Sequence, residues 1–159
     1  ISLTRDALLR KKYTIHSPCP HNELCPMDGR RGGKWCHFVL NTDNAPKKLL
    51  KLSRDAGLPK ERAAFSFVFA QKTQAVVEPL IQTSLRLRIA SDPIKIPSKG
   101  TGRYACSELG LTLLLEKYIP GKGRESYTSG DLVSLPSLKD KERKFLPVDA
   151  KTGAKIIGD

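Results

Sequence analysis

The chain has 159 residues, 39% of them hydrophobic and 6% aromatic, enough for one domain of ordinary size or two small ones around a modest core. Lys and Arg outnumber Asp and Glu by 28 to 16, a formal charge of +12. No apolar run approaches the roughly 20 residues that cross a bilayer, and Arg5, Arg10, Lys11 and Lys12 interrupt any signal-peptide pattern, so no membrane partner is expected. The charge is uneven: residues 1–72 carry +8, residues 73–138 carry +2 and residues 139–159 carry +2. A positive face in the first part favours a phosphate backbone through Coulomb attraction and counterion release. A chain that opens on Ile1 reads as a piece of something longer.

Residues 3–12 read as the end of a helix, with Leu3, Ala7 and Leu8 at helical spacing and cations in the last turn. Tyr13-Thr-Ile-His16 is a short strand stopped by Pro18 and Pro20. Residues 17–34 are loop. A helix is predicted from Ala45 to Ala56, with Asn44 as N-cap, Pro46 in the first turn and Gly57 just past the end. Its Leu49, Leu50 and Leu52 are expected to face a core, and Lys47, Lys48, Lys51 and Arg54 to face outward. Phe65 to Ala70 reads as one strand with Phe65, Phe67 and Phe69 on one face. Leu85-Arg-Leu-Arg-Ile89 alternates as a half-exposed strand does. Pro93, Pro97 and Gly100 break the connection to two more strands, Arg103–Cys106 and Leu111–Leu115, joined by a turn at Glu108–Gly110. A small strand or turn is expected within residues 126–134, and a loosely held basic tail or a partner-binding arm from residue 139 to 159.

Four cysteines carry the chemistry: Cys19 and Cys25 in Ser17-Pro-Cys-Pro-His-Asn-Glu-Leu-Cys-Pro-Met27, Cys36 in Lys34-Trp-Cys-His-Phe38, and Cys106. A small polar loop with this much proline can hardly fold by burial alone. Two disulfides would need an oxidising compartment, which the lysine-rich composition does not suggest. The spacing Cys-x5-Cys-x10-Cys-x69-Cys is wider than the Cys-x2–4-Cys pairs of zinc ribbons. It suits a cuboidal iron–sulfur cluster, whose irons each take a thiolate from a different direction. Two alternatives stay open. Zinc could be held by Cys19, Cys25, Cys36 and either Cys106 or one of His21 and His37, or Cys106 could be a buried strand residue with no metal role. The histidines read as hydrogen-bonding neighbours of the ligands. Trp35 reads as a shield over the loop, or as a stacking platform for a base. Arg30, Arg31 and Lys34 flank the loop as phosphate contacts, with Lys47, Lys48, Lys51 and Arg54 as a second basic set. No Gly-x-Gly-x-x-Gly loop follows a strand, and no Ser/His/Asp or paired-acid arrangement stands out. The Cys-x3-Cys-x2-Cys signature of radical methyl-donor enzymes is missing as well.

The run Ser-Pro-Cys-Pro-His-x-x-x-Cys-Pro, Trp-Cys-His-Phe, a basic helix and Phe-Ser-Phe-Val resembles the methyltransferase-like ribosomal small-subunit assembly factor family of mitochondria and some bacteria, over about residues 13–70. Arg88-Ile-Ala-Ser-Asp-Pro-Ile-Lys and Tyr104-Ala-Cys106 look like that family's following β section. The resemblance implies an α/β fold: the C-terminal fragment of a Rossmann-like methyltransferase core with a metal-binding loop (1–75), a small antiparallel β region (76–138) and the basic tail. It implies a 4Fe-4S cluster on Cys19, Cys25, Cys36 and Cys106. The implied partners are small-subunit rRNA and ribosomal proteins, in a mitochondrial matrix or a bacterial cytoplasm. S-adenosylmethionine is implied only if the donor half that would precede Ile1 is functional. The reading is therefore a metal-stapled rRNA-binding component or assembly factor of the small ribosomal subunit. Its rivals are an rRNA methyltransferase and a zinc-stapled interaction module.

Overall fold

The computed structural model describes residues 2–27, 36–57, 62–72, 84–119 and 127–158. Helix α1 (Ser2–Arg10) leads into β1 (Tyr13–Ser17). Two short ribbons follow: β2 (Phe38–Asn41) pairs antiparallel with β3 (Arg62–Phe65) across helix α2 (Lys47–Asp55), and β1 pairs antiparallel with β4 (Phe69–Lys72). The larger sheet runs β10 (Lys155–Ile157), β8 (Gly110–Leu115), β7 (Gly100–Ser107), β5 (Ser84–Ile89), β9 (Leu132–Pro136), with β6 (Ile94–Ile96) on the free stretch of β7. A 3-10 turn (Glu116–Tyr118) follows β8, and helix α3 (Asp140–Lys144) precedes β10. This mixture of helix and sheet agrees with the α/β class.

The period-2 pattern of β5 decides how the sheet buries itself. Leu85, Leu87 and Ile89 point to one face and are fully buried. There they meet Ala105, Leu114, Ile119, Val133, Leu135 and Ile157 in one apolar cluster. Leu113, Leu115, Ala154 and Ile156 form a second cluster on the opposite face. Leu87→Ala is expected to cost about 2–5 kcal/mol, because neighbours on four strands cannot collapse into the hole. A denaturant midpoint that falls at constant slope checks it.

Several expectations need correction. The Phe65–Ala70 strand is two strands in two ribbons. Ser66 Oγ donates to the Cys36 carbonyl at the crossing, and a chain turning to meet that carbonyl cannot continue one ladder. Phe65 and Phe67 stack beside Phe38, whereas Phe69 turns to the His16 ring. In α1, Leu3 is 65% exposed and Arg5 is 2% exposed, the reverse of the apolar reading. The reason is that the Arg5 guanidinium donates to two loop carbonyls, which Leu cannot do.

Helix α2 starts later than predicted: Pro46 occupies the N-cap without a side-chain cap, and Asn44 lies outside. The stop is as expected, with Gly57 at φ +65 donating to the Arg54 carbonyl. Yet Leu49 and Leu52 are 57% and 65% exposed, and no described residue of α2 is buried. The Pro93–Gly100 segment does more than break the chain, because its centre forms β6 against β7. The final segment is no loose tail. Strand β10 runs parallel to β8 in register Ile156↔Leu113, and Ala154, Ile156 and Ile157 are buried.

Candidate metal centre

Cys19 and Cys25 lie in the loop after β1, Cys36 sits two residues before β2, and Cys106 is on β7. All four line one cavity, together with Arg5, Met27, Phe38, Phe67 and Arg88. None is in a disulfide. The fourth thiol arrives through strand register. Cys106 pairs with Arg88 across β5 and β7, so both side chains leave the sheet on the same face. Ala105 and Ile89, one residue along, point into the apolar core. A one-residue slip would exchange Cys106 for Ala105 at the cavity.

The first two thiols are held by arginines. Arg5 Nη2 donates to the carbonyls of His21 at 3.0 Å and Glu23 at 2.6 Å, bracketing the loop between Cys19 and Cys25 against α1. Arg88 Nε donates to the Pro18 carbonyl at 2.8 Å and Nη1 to the Gly130 carbonyl at 2.7 Å. That ties the residue before Cys19 to the large sheet. Cys36 is fixed through its carbonyl by Ser66. His21 Nε2 lies 3.1 Å from Cys106 Sγ, within hydrogen-bond reach of the sulfur. His37 does not line the cavity.

The electrostatics are those of thiols crowded out of water. Burial first, then the charges of Cys19 and Cys25, push the Cys36 thiol up to about 11. Burial, then the other three cysteines, raises Cys106 as well. Cys25 is raised mainly by burial, with Cys19 adding to it. Burial, helped by the Arg5 charge, lowers His21 to about 4, so its imidazole is neutral at pH 7. One side is therefore free to donate an N–H to sulfur. Thiols that resist ionisation side by side become thiolates more readily where a positive centre lies among them. Four soft sulfur donors can supply such a centre with ligands from four directions of the chain. Among the described residues, no three His, Cys, Asp or Glu side chains are spaced to grip one ion.

Arg30, Arg31, Lys34 and Trp35 lie outside the described residues. Lys47, Lys48, Lys51 and Arg54 are all exposed on α2. That helix links the two strands of the ribbon whose Phe38 lines the cavity. Arg5 and Arg88 are site residues that pattern reading missed. The alternation of β5 put Arg88 on the polar face but could not say which strand residue stands opposite. Nothing local distinguished Arg5 from any helical surface arginine.

The described residues thus form an α/β chain with four thiols lining one cavity and a helix whose basic residues are exposed. The chain matches the family model described as Rsm22, mitochondrial small ribosomal subunit Rsm22, over residues 1–103, and it belongs to that family. The match takes in Cys19, Cys25 and Cys36 and stops just short of Cys106. That description places the chain in the mitochondrion, one of the two expected compartments, and connects it with the small ribosomal subunit and its ribosomal partners. No helix among the described residues is long and apolar enough to cross a membrane. No curated protein and no solved structure is similar to the chain.

Proposed function

We propose that this chain is an rRNA-binding component or assembly factor of the mitochondrial small ribosomal subunit. In this reading an iron–sulfur cluster on Cys19, Cys25, Cys36 and Cys106 staples it together. The observation that carries the reading is the sharing of one cavity by four thiols, one of them separated from the nearest other by 69 residues of sequence. What supports a cluster over a single zinc ion is the cysteine spacing, which is wider than the Cys-x2–4-Cys pairs of zinc ribbons.

The group's part is structural. When bound it supplies four sulfur–metal bonds that join the loop, the start of β2 and strand β7. The chain's own residues do the rest. Cys36 anchors the ribbon β2–β3, and that ribbon carries α2 as its connection. The helix then offers Lys47, Lys48, Lys51 and Arg54 to phosphates, with no residue of its own committed to a core. Metal loss therefore loosens the mounting of the basic helix, and binding to RNA follows metal occupancy.

Purification without oxygen tests the cluster. The expected protein is brown, absorbs near about 400 nm and contains about four irons per chain. A colourless protein carrying zinc in place of iron would overturn the cluster and leave the zinc-stapled module.

A further inference from the structure

Arg5 is a buried cation whose charge is met, among the described residues, by a single carboxylate. It is 2% exposed and lines the thiol cavity. Among the described residues its ion-pair partner is its chain neighbour Asp6, 3.6 Å from Nη1. The bonds it donates, from Nη2, go to neutral carbonyls. Its Nε finds no hydrogen-bond partner among the described residues. A guanidinium taken out of water in this way is costly unless an anion faces it. Arg88 repeats the pattern more mildly: half-buried, on the same cavity, and bonded through Nε and Nη1 to carbonyls. Both thus bring positive charge to a space walled by four thiols.

We propose that Arg5 and Arg88 are the counter-charges of the metal centre, balancing its net negative charge and setting how readily it accepts an electron. The inference rests on the cluster reading above and deepens it. A four-iron cluster with four thiolates carries a charge of about −2 in its usual resting state and becomes more negative on reduction. Two buried guanidinium groups favour each added negative charge, and in a low-dielectric cavity their effect is little screened. They are positioning residues, since Arg5 also pins the carbonyls of His21 and Glu23 between two cysteines and Arg88 that of Pro18 beside Cys19. The test must therefore separate charge from shape.

The experiment compares the full chain with its Arg5→Met, Arg5→Lys and Arg88→Met variants, each loaded with iron and sulfide without oxygen. Iron content and the reduction midpoint are measured, the latter by the spectroscopic signal of the reduced cluster. Loss of one charge is expected to cut the ratio of reduced to oxidised cluster at fixed poise by about tenfold, equivalent to about 59 mV for one electron. Arg5→Lys, which keeps the charge and loses the fork, is expected to restore most of it. If Arg5→Met fails to load while Arg5→Lys loads, a requirement for charge is shown directly. Equal midpoints in the wild type, Arg5→Met and Arg88→Met overturn the counter-charge role and leave the cluster standing. So does failure of both Arg5 variants to load when Arg88→Met keeps the wild-type midpoint. A wild type that takes up no cluster overturns the reading beneath.

Discussion

Cys106→Ser is expected to strip the chain of iron and to release it from the small ribosomal subunit. The substitution is small in volume, and the hydroxyl can still meet His21 Nε2, now 3.1 Å from the sulfur. Strand β7 keeps its ladder to β8, from Gly102↔Leu115 to Ser107↔Gly110. The large sheet should therefore survive, losing no more than about 0.5–3 kcal/mol, as ordinary buried substitutions do. A serine oxygen is a poor ligand for the iron that a thiolate holds. Iron should fall from about four per chain to below about one, and the fraction of protein sedimenting with small subunits should fall with it. The contrast with a packing role is sharp. If Cys106 were only a buried strand residue, the variant would lose a little stability, keep its iron and still sediment with the subunit. Measuring iron, sedimentation and denaturant midpoint on one preparation separates the two.

Replacing Lys47, Lys48, Lys51 and Arg54 together by Gln should weaken RNA binding on the order of 100-fold at low salt, with the loss shrinking as salt rises. Gln is nearly as good a helix former as Lys or Arg, and α2 buries none of its described residues. The stability of the fold should hence be unchanged within about 0.5 kcal/mol. Each cation on a phosphate releases counterions, so the slope of log affinity against log salt should become shallower by up to about 3. A salt slope equal to that of the parent chain would remove α2 from the RNA interface. The exposed Leu49 and Leu52 on the same helix would then point to a protein contact instead.

Much of this molecule is legible in its sequence, for reasons that are local. Strand β5 follows from period-2 alternation, because a strand with one buried face must alternate, and β7 and β8 follow as short strand-forming runs on either side of the Glu108–Gly110 turn. The stop of α2 follows from Gly57, which takes a left-handed conformation that other residues avoid. Errors fall where distant contacts override local preference. The Phe65–Ala70 run has the composition of one strand, yet Ser66 is drawn to the Cys36 carbonyl and splits it. The 139–159 stretch lacks any pattern, yet three of its residues complete the sheet beside β8 because an open apolar edge was there to cover.

Sequence alone determined the chemical vocabulary of this protein: four thiols at a spacing foreign to zinc ribbons, an excess of cations in the first part, and the strands that alternate. Residue types and their intervals are covalent facts, and periodicity reflects forces acting within a few residues. Tertiary structure decided that Cys106 shares a cavity with the other three and that Arg88 stands beside it. It also decided that Arg5 is buried while Leu3 is exposed. Each of these depends on which strand registers with which across scores of residues. That register is set by the summed burial of Leu85, Leu87 and Ile89 against partners elsewhere in the chain, a sum no local window contains.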